Sequence, residues 1–370
     1  MAKAKGSARL AIGLLAALAA SAAVPAVRGQ AGQREPEGTW RFAVSGDSRN
    51  CGDVVMPAIA AGVRAASASF YWHLGDFRKV YDFDEDMVKE QQRSGRTMTI
   101  RDYYRTVWDD FIRNQIAPFG DVPVMLAIGN HDALAPKTRD DYLVQFADWV
   151  SSPALRAQRL RDDPADHLLK TYFHVVERGV DFITLDNGTT DQFDTAQLAW
   201  IRRAIARDVA DPAVRTIVVG MHRALPDSLS GDHGMNESPA LEQSGRIVYR
   251  LLLDAREKGG KRVYVVASHS HYFMDGIFNT EAWRTGGGVL PGWIVGTAGA
   301  VRYALPARAA DASDARTNVY GYLLGTVSPD REVRFTFQPV QVADVPAAVS
   351  ARYGDEFVRW CFEQNTNVKQ

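Results

Sequence analysis

The residues best suited to chemistry fall in four short motifs that come in a set order along the 370-residue chain. Gly46-Asp47-Ser48-Arg49 is first, Gly75-Asp76 second, Gly129-Asn130-His131-Asp132 third and Ser268-His269-Ser270-His271 last, with Met221-His222 between the last two. Each follows an apolar run of strand type. Oxygen donors come early and imidazoles late. A two-metal centre needs a carboxylate to bridge the ions, further oxygen and nitrogen donors to fix each one, and open positions for water and a phosphate. Asp47, Asp76, Asn130, His222, His269 and His271 supply those donors. His269 and His271, two apart, share a face of an extended segment. The pattern predicts a hydrolytic centre at one sheet edge that acts on a phosphate ester.

No single motif carries this inference. An Asp after Gly is common turn chemistry, and a lone histidine at a strand end is more often structural. The Gly-Asn-His-Asp tetrapeptide is rarer, and the ordered set is what points to a site. Of the other histidines, His73, His167, His174 and His233 are read as structural or surface residues. Arg78 and Arg223 lie close to site residues. They could hold an anionic group or form ion pairs with no part in the chemistry.

The elements that must position these residues follow from hydropathy. Strands are expected at residues 40–45, 69–74, 122–128, 214–220, 262–267 and 293–296. Hairpins are expected from 171–176 with 180–185, and from 318–327 with 332–339. Residues 214–220 and 262–267 are near-continuous apolar runs, as in strands buried on both faces. Helices are expected at 54–65, around 100–111, after a capping box of Asp194 and Gln197, and from Ser238-Pro239 to residue 254. Strands alternate with helices early and a hairpin comes late, which predicts an α/β sandwich with a mixed sheet in one domain. The charged segments 82–120 and 133–170 are long for connections. They read as lids or, preferably, as solvated helices that cover the sheet.

Hydrophobic residues make up 46% of the chain, ample for a large core, and charged residues 24%. The formal net charge of -1 leaves no basic excess and so no nucleic-acid footprint. Lys3, Lys5 and Arg9 precede an apolar stretch at residues 10–24, and small residues follow. Residues 1–29 therefore read as a cleaved export signal, which implies a periplasmic or secreted protein. The stretch is shorter than the ~20 residues needed to span a bilayer, so no retained membrane span is expected. Residues 30–39 read as a disordered lead-in, 40–345 as the catalytic domain and 346–370 as a C-terminal segment. Cys51 and Cys361 are the two cysteines. Pairing or two separate thiols are both open readings.

At the motif residues the chain resembles the calcineurin-like metallophosphoesterase superfamily, whose pattern is Asp-x-His, Gly-Asp, Gly-Asn-His-(Asp/Glu), His and Gly-His-x-His. The resemblance runs from about Arg41 to His271. It implies a four-layer α/β/β/α sandwich with mixed sheets. It also implies that Asp76 bridges two ions, that Asp47 and His271 bind one, and that Asn130, His222 and His269 bind the other. His131 would contact the phosphate and act as general acid, with Asp132 available to orient it. The ions would be iron, manganese or zinc, divalent or trivalent, and the substrate a phosphorylated small molecule. Monoesters, diesters and pyrophosphates fit this pattern equally.

Two positions depart from it. Ser268 replaces a glycine. Arg49 stands where the pattern has a metal-binding histidine. Purple acid phosphatases also lack that histidine, but bind iron through a tyrosine three residues after the bridging aspartate. Here that position is Lys79, and Tyr81 is offset. The first metal site is thus a ligand short. A guanidinium has no lone pair to give a metal. Arg49 either turns away or points in and takes over part of the first ion's work on the phosphate. The second is the expectation adopted, because Asp47 and His271 both remain. The competing function is a phosphate-ligand binder on the same fold, with weak or no catalysis.

Overall fold

The computed structural model describes residues 36–189, 192–231 and 233–368. The proposed export signal at residues 1–29 and most of the lead-in lie outside them. The end of the lead-in is a turn rather than loose chain: the Thr39 N–H and hydroxyl both donate to the Pro36 carbonyl.

The described strands, in chain order, are β1 (Trp40–Ser45), β2 (Tyr71–His73), β3 (Val124–Leu126), β4 (Phe173–Glu177), β5 (Val180–Thr184) and β6 (Thr216–Met221). They continue with β7 (Arg262–Ala267), β8 (Phe273–Asp275), β9 (Gly292–Val295), β10 (Asp314–Arg316), β11 (Tyr320–Val327) and β12 (Val333–Val340). They form two sheets, with strand orders β12-β11-β1-β2-β3 and β10-β8-β9-β7-β6-β5-β4. Both are mixed. β1, β2 and β3 are parallel, as are β5, β6, β7 and β9, while the outer pairings are antiparallel. Both expected hairpins are present. β8 and β10, three residues each, were not anticipated, since three residues are too short for a period to show.

The sheets face each other across an aromatic core. Phe42 and Phe70 of one meet Phe182 of the other at 4.8 and 4.9 Å between ring centroids. Gly220 on β6 makes room for Trp72 of β2: a Cβ there would lie 2.3 Å from the Trp72 ring. Helices close both outer faces. α1 (Gly52–Ala65) packs on the five-stranded sheet with the C-terminal helices α10 (Ala347–Tyr353) and α11 (Asp355–Glu363). α7 (Thr195–Ala210), α8 (Pro239–Glu257) and the short α9 (Glu281–Thr285) pack on the seven-stranded sheet. The result is the expected four-layer α/β/β/α sandwich. Each large apolar side chain buried this way stabilises it by about 1.5–3 kcal/mol.

α8 begins as its sequence predicts, with Ser238 Oγ accepting from Leu241 N–H at 3.2 Å and Pro239 in the first turn. The capping box at α7 is only half formed. Asp194 caps Gln197 N–H at 2.7 Å, but the Gln197 side chain instead bonds both backbone groups of Asp186, after β5. The long charged segments are helical: α2 (Glu85–Ser94) and α3 (Ile100–Phe111), then α4 (Arg139–Gln145), α5 (Ala147–Val150) and α6 (Pro153–Asp162). They cover the domain rather than hang over it. Phe111 stacks on Phe77 at 4.2 Å, and Phe146 closes on Phe77 at 5.3 Å. No described helix is long and apolar enough to cross a membrane.

Candidate metal centre

The motif residues sit just past the C-terminal ends of β1, β2, β3, β6 and β7, so both sheets contribute to one edge. Three of them hold a left-handed backbone that non-glycine residues seldom adopt: Asp47 (φ 60°), Asp76 (φ 61°) and His269 (φ 65°). Such strain persists only where surrounding contacts enforce it. Here the turns lock together. Ser48 N–H donates to Asp76 O and Asp47 N–H to Gly75 O, each at 3.0 Å. Gly129 must be glycine, because a Cβ would lie 2.3 Å from Asp76 Oδ1.

Asp132 holds this junction. Its carboxylate accepts from the N–H groups of Asp76 (2.7 Å), Phe77 (2.8 Å) and Gly129 (2.7 Å). It therefore does not orient His131 as expected; His131 Nδ1 is buried without a partner. Burial and the neighbouring Asp76 charge push the Asp132 carboxyl up, to about 8, against the pull of those three donors.

Three side chains converge beside Asp76. His222 Nε2 lies 2.9 Å from Asn130 Oδ1, 3.0 Å from His269 Nδ1 and 3.4 Å from Asp76 Oδ1. His222 Nδ1 donates to Leu74 O at 2.9 Å, which leaves the Nε2 lone pair facing the others. Burial lowers the proton affinity of His222, favouring the neutral form a metal needs. Asp76 Oδ2 is buried with no hydrogen-bond partner. Two imidazoles, an amide oxygen and a carboxylate fit a divalent iron, manganese or zinc ion.

His131 closes one side. Its N–H donates to Asp76 Oδ1 at 2.9 Å, and its ring lies 5.4 Å from the Tyr81 ring. Burial, partly offset by Asp76, pushes its imidazole down to about 4.

Asp47, His271 and Arg49 form the other half. His271 Nδ1 donates to Val301 O at 2.7 Å, turning Nε2 to Asp47 Oδ1 at 3.2 Å. Arg49 Nη2 lies 3.1 Å from that nitrogen and 3.4 Å from Asp76 Oδ2. Asp47 Oδ2 accepts from the Ser268 hydroxyl and from His269 N–H at 2.7 Å. Ser268 is thus a working part of this half. Burial works against the Asp47 charge, but His271 and Arg49 hold it well below the usual carboxylate range. With a guanidinium among its donors, this half does not fit a second ion.

The remaining candidates separate cleanly. Arg78 is fully buried and paired with Asp53, Asp86 and Asp110 behind the site loop. Arg223 lies at the rim, 3.6 Å from Glu237, whose other oxygen is 3.6 Å from His269 Nε2. His73 is structural, with Nε2 3.0 Å from Ser48 Oγ. His174 is held between Asp162 and Asp181, and His167 is exposed. His233, read as structural or surface, stacks 5.3 Å from Tyr303, which stacks 4.1 Å over His271. Sequence reasoning missed Glu237 and Tyr303, which lie in loops with no motif around them.

No curated protein matches the sequence. The fold is similar to a purple acid phosphatase from yellow lupin (Lupinus luteus) seeds, with 16% identity and a TM-score of 0.51. That match covers 83% of this chain and 52% of the other, so the chain spans about half the lupin protein's length. A dimetal phosphatase from Danio rerio is similar at 11% identity and a TM-score of 0.50, covering 81% of this chain and 95% of the other. At such identities the likeness is one of fold. A family model for calcineurin-like phosphoesterases matches residues 42–273, from β1 to the first residue of β8 and across every motif above. The chain belongs to the calcineurin-like phosphoesterase family.

Proposed function

We propose that this chain is an exported enzyme that hydrolyses the phosphate ester of a small molecule. The observation that carries the reading is the convergence of Asn130 Oδ1, His269 Nδ1 and Asp76 Oδ1 within 2.9–3.4 Å of His222 Nε2. A metal ion held by these four would supply Lewis acidity toward phosphoryl oxygens and a bound water of lowered pKa. The chain's own groups do the rest. Asp132 fixes the two turns that carry Asp76 and Asn130, and Leu74 fixes the His222 tautomer. His131 stands beside Asp76, where a bound phosphate's charge favours its imidazolium and makes it a proton donor to the leaving oxygen.

Export is supported by the basic, apolar and small-residue order of residues 1–29 and by the disulfide joining Cys51 to Cys361. Cell fractionation with N-terminal sequencing of the mature chain tests it; an intact N-terminus in the cytosol would refute it. For the chemistry, the test is a panel of a chromogenic monoester, a diester and pyrophosphate after reconstitution with iron, manganese or zinc. Turnover of at least one, absent in Asp76→Asn, is expected. Tight phosphate binding without turnover of any would instead favour a phosphate-binding protein.

A further inference from the structure

We propose that the Arg49 guanidinium replaces one of the family's two metal ions, so that the centre holds a single ion and an arginine. This deepens the reading above and rests on it. The three residues that would hold the first ion are Asp47, His271 and Asp76. Arg49 Nη2 stands among them, 3.1 Å from His271 Nε2 and 3.4 Å from Asp76 Oδ2. A metal bound to a histidine nitrogen and a carboxylate oxygen sits about 2.0–2.2 Å from each. Such an ion would have to overlap the guanidinium, and the two positive charges would repel.

Arg49 is built in rather than poised to leave. It is 7% exposed. On its N-terminal side, Ser48 N–H donates to Asp76 O at 3.0 Å. On its C-terminal side, Asn50 N–H donates to Asp84 Oδ1 at 2.7 Å and Cys51 N–H to Gly299 O at 3.2 Å. Two residues on, the Cys51–Cys361 disulfide anchors the loop to α11. These contacts fix the backbone on both sides of Arg49, and His271 Nε2 and Asp76 Oδ2 hold its guanidinium in place. Burial disfavours its charge, but Asp76 and Asp47 more than offset that, so it stays cationic.

The replacement keeps one of the first ion's two functions. A guanidinium neutralises charge on phosphoryl oxygens and donates to them in a planar fork. Arg49 Nε is buried without a partner, so donor capacity remains for an anionic oxygen. It has no acceptor and cannot bind or acidify a water. A metal held by Asp76, Asn130, His222 and His269 would therefore have to supply water activation, while Arg49 would grip the phosphate.

The test measures metal content and phosphate binding, not turnover. Wild type, Arg49→His and Arg49→Ala are stripped of metal, titrated calorimetrically with Mn(II) or Zn(II), and checked by elemental analysis. Inorganic phosphate is then titrated into each metal-loaded form. Wild type should hold one ion per chain and Arg49→His two. Arg49→Ala should hold one and bind inorganic phosphate about tenfold or more weakly, the loss expected for a charged hydrogen bond. Two tightly held ions in the wild type overturn the proposal, and that readout needs no variant to fold. So does unchanged phosphate affinity in a folded Arg49→Ala. The hydrolase reading fails separately: one ion per chain with no turnover of any ester refutes it and leaves the assignment of Arg49 standing.

Discussion

At the scale of residues, His131 and Asp132 show how adjacent motif positions divide their work. His131→Ala should keep metal content near wild type and slow turnover of an ester with a poor leaving group about 100-fold, the usual range for losing a general acid. Loss of metal in that variant would make His131 a ligand instead. Asp132→Ala removes the acceptor of three buried N–H groups. At about 1–3 kcal/mol for each unsatisfied donor, it should lower unfolding stability by roughly 3 kcal/mol or more in a denaturant titration. Normal stability with slowed turnover would return Asp132 to orienting His131. The tetrapeptide was legible as a site because a glycine followed by three polar residues of those types is uncommon. The target of Asp132 was not, since two of its donors come from a turn more than 50 residues earlier. Arg49 was legible only as an anomaly: its side chain could have turned either way, and only packing decides that. Glu237 and Tyr303 reach the site from loops where no periodicity marks them.

At the scale of elements, long apolar runs and hairpins were readable because one property repeats along them. β7 matches its expected bounds, Arg262–Ala267. β2 and β3 are shorter than expected, Tyr71–His73 and Val124–Leu126, although hydrogen bonds to the β1 segment run from Ser69 N–H to Leu74 N–H. The helices of the charged insertions were harder, as their buried faces are narrow. Behind the site loop, Arg78 lies among buried Asp53, Asp84, Asp86 and Asp110. This cluster joins α1, the segment before α2, α2 itself and α3. Burial raises the Asp110 carboxyl to about 6, with Arg78 opposing and Asp53 adding to the shift. A carboxyl raised in the folded chain holds a proton that the unfolded chain has released. Its stabilising contribution is present below the unfolded pKa, near 3.9, and is lost as pH rises through about 6. In thermal unfolding, Asp110→Asn should flatten the decline in Tm between pH 4.5 and 7 relative to wild type. An identical pH profile would show that Asp110 does not carry it.

At the scale of the whole molecule, the centre lies where two sheets present the ends of parallel strands to the same edge. β1, β2 and β3 bring Asp47, Asp76 and Asn130; β6 and β7 bring His222, His269 and His271. The four-layer arrangement was expected from the resemblance, and alternation of strands and helices alone led only as far as an α/β sandwich. Pairing of Cys51 with Cys361, 310 residues apart, depends on docking of the C-terminal helices and could not be read from spacing. The most direct measurement is a titration of chelator-stripped protein with Mn(II), following hydrolysis of a chromogenic phosphate monoester. Turnover should be absent without metal, rise in proportion to added ion and break at one equivalent per chain. Turnover that survives complete removal of metal would contradict metal-dependent hydrolysis, and a break at two equivalents would contradict a centre in which Arg49 stands for the first ion.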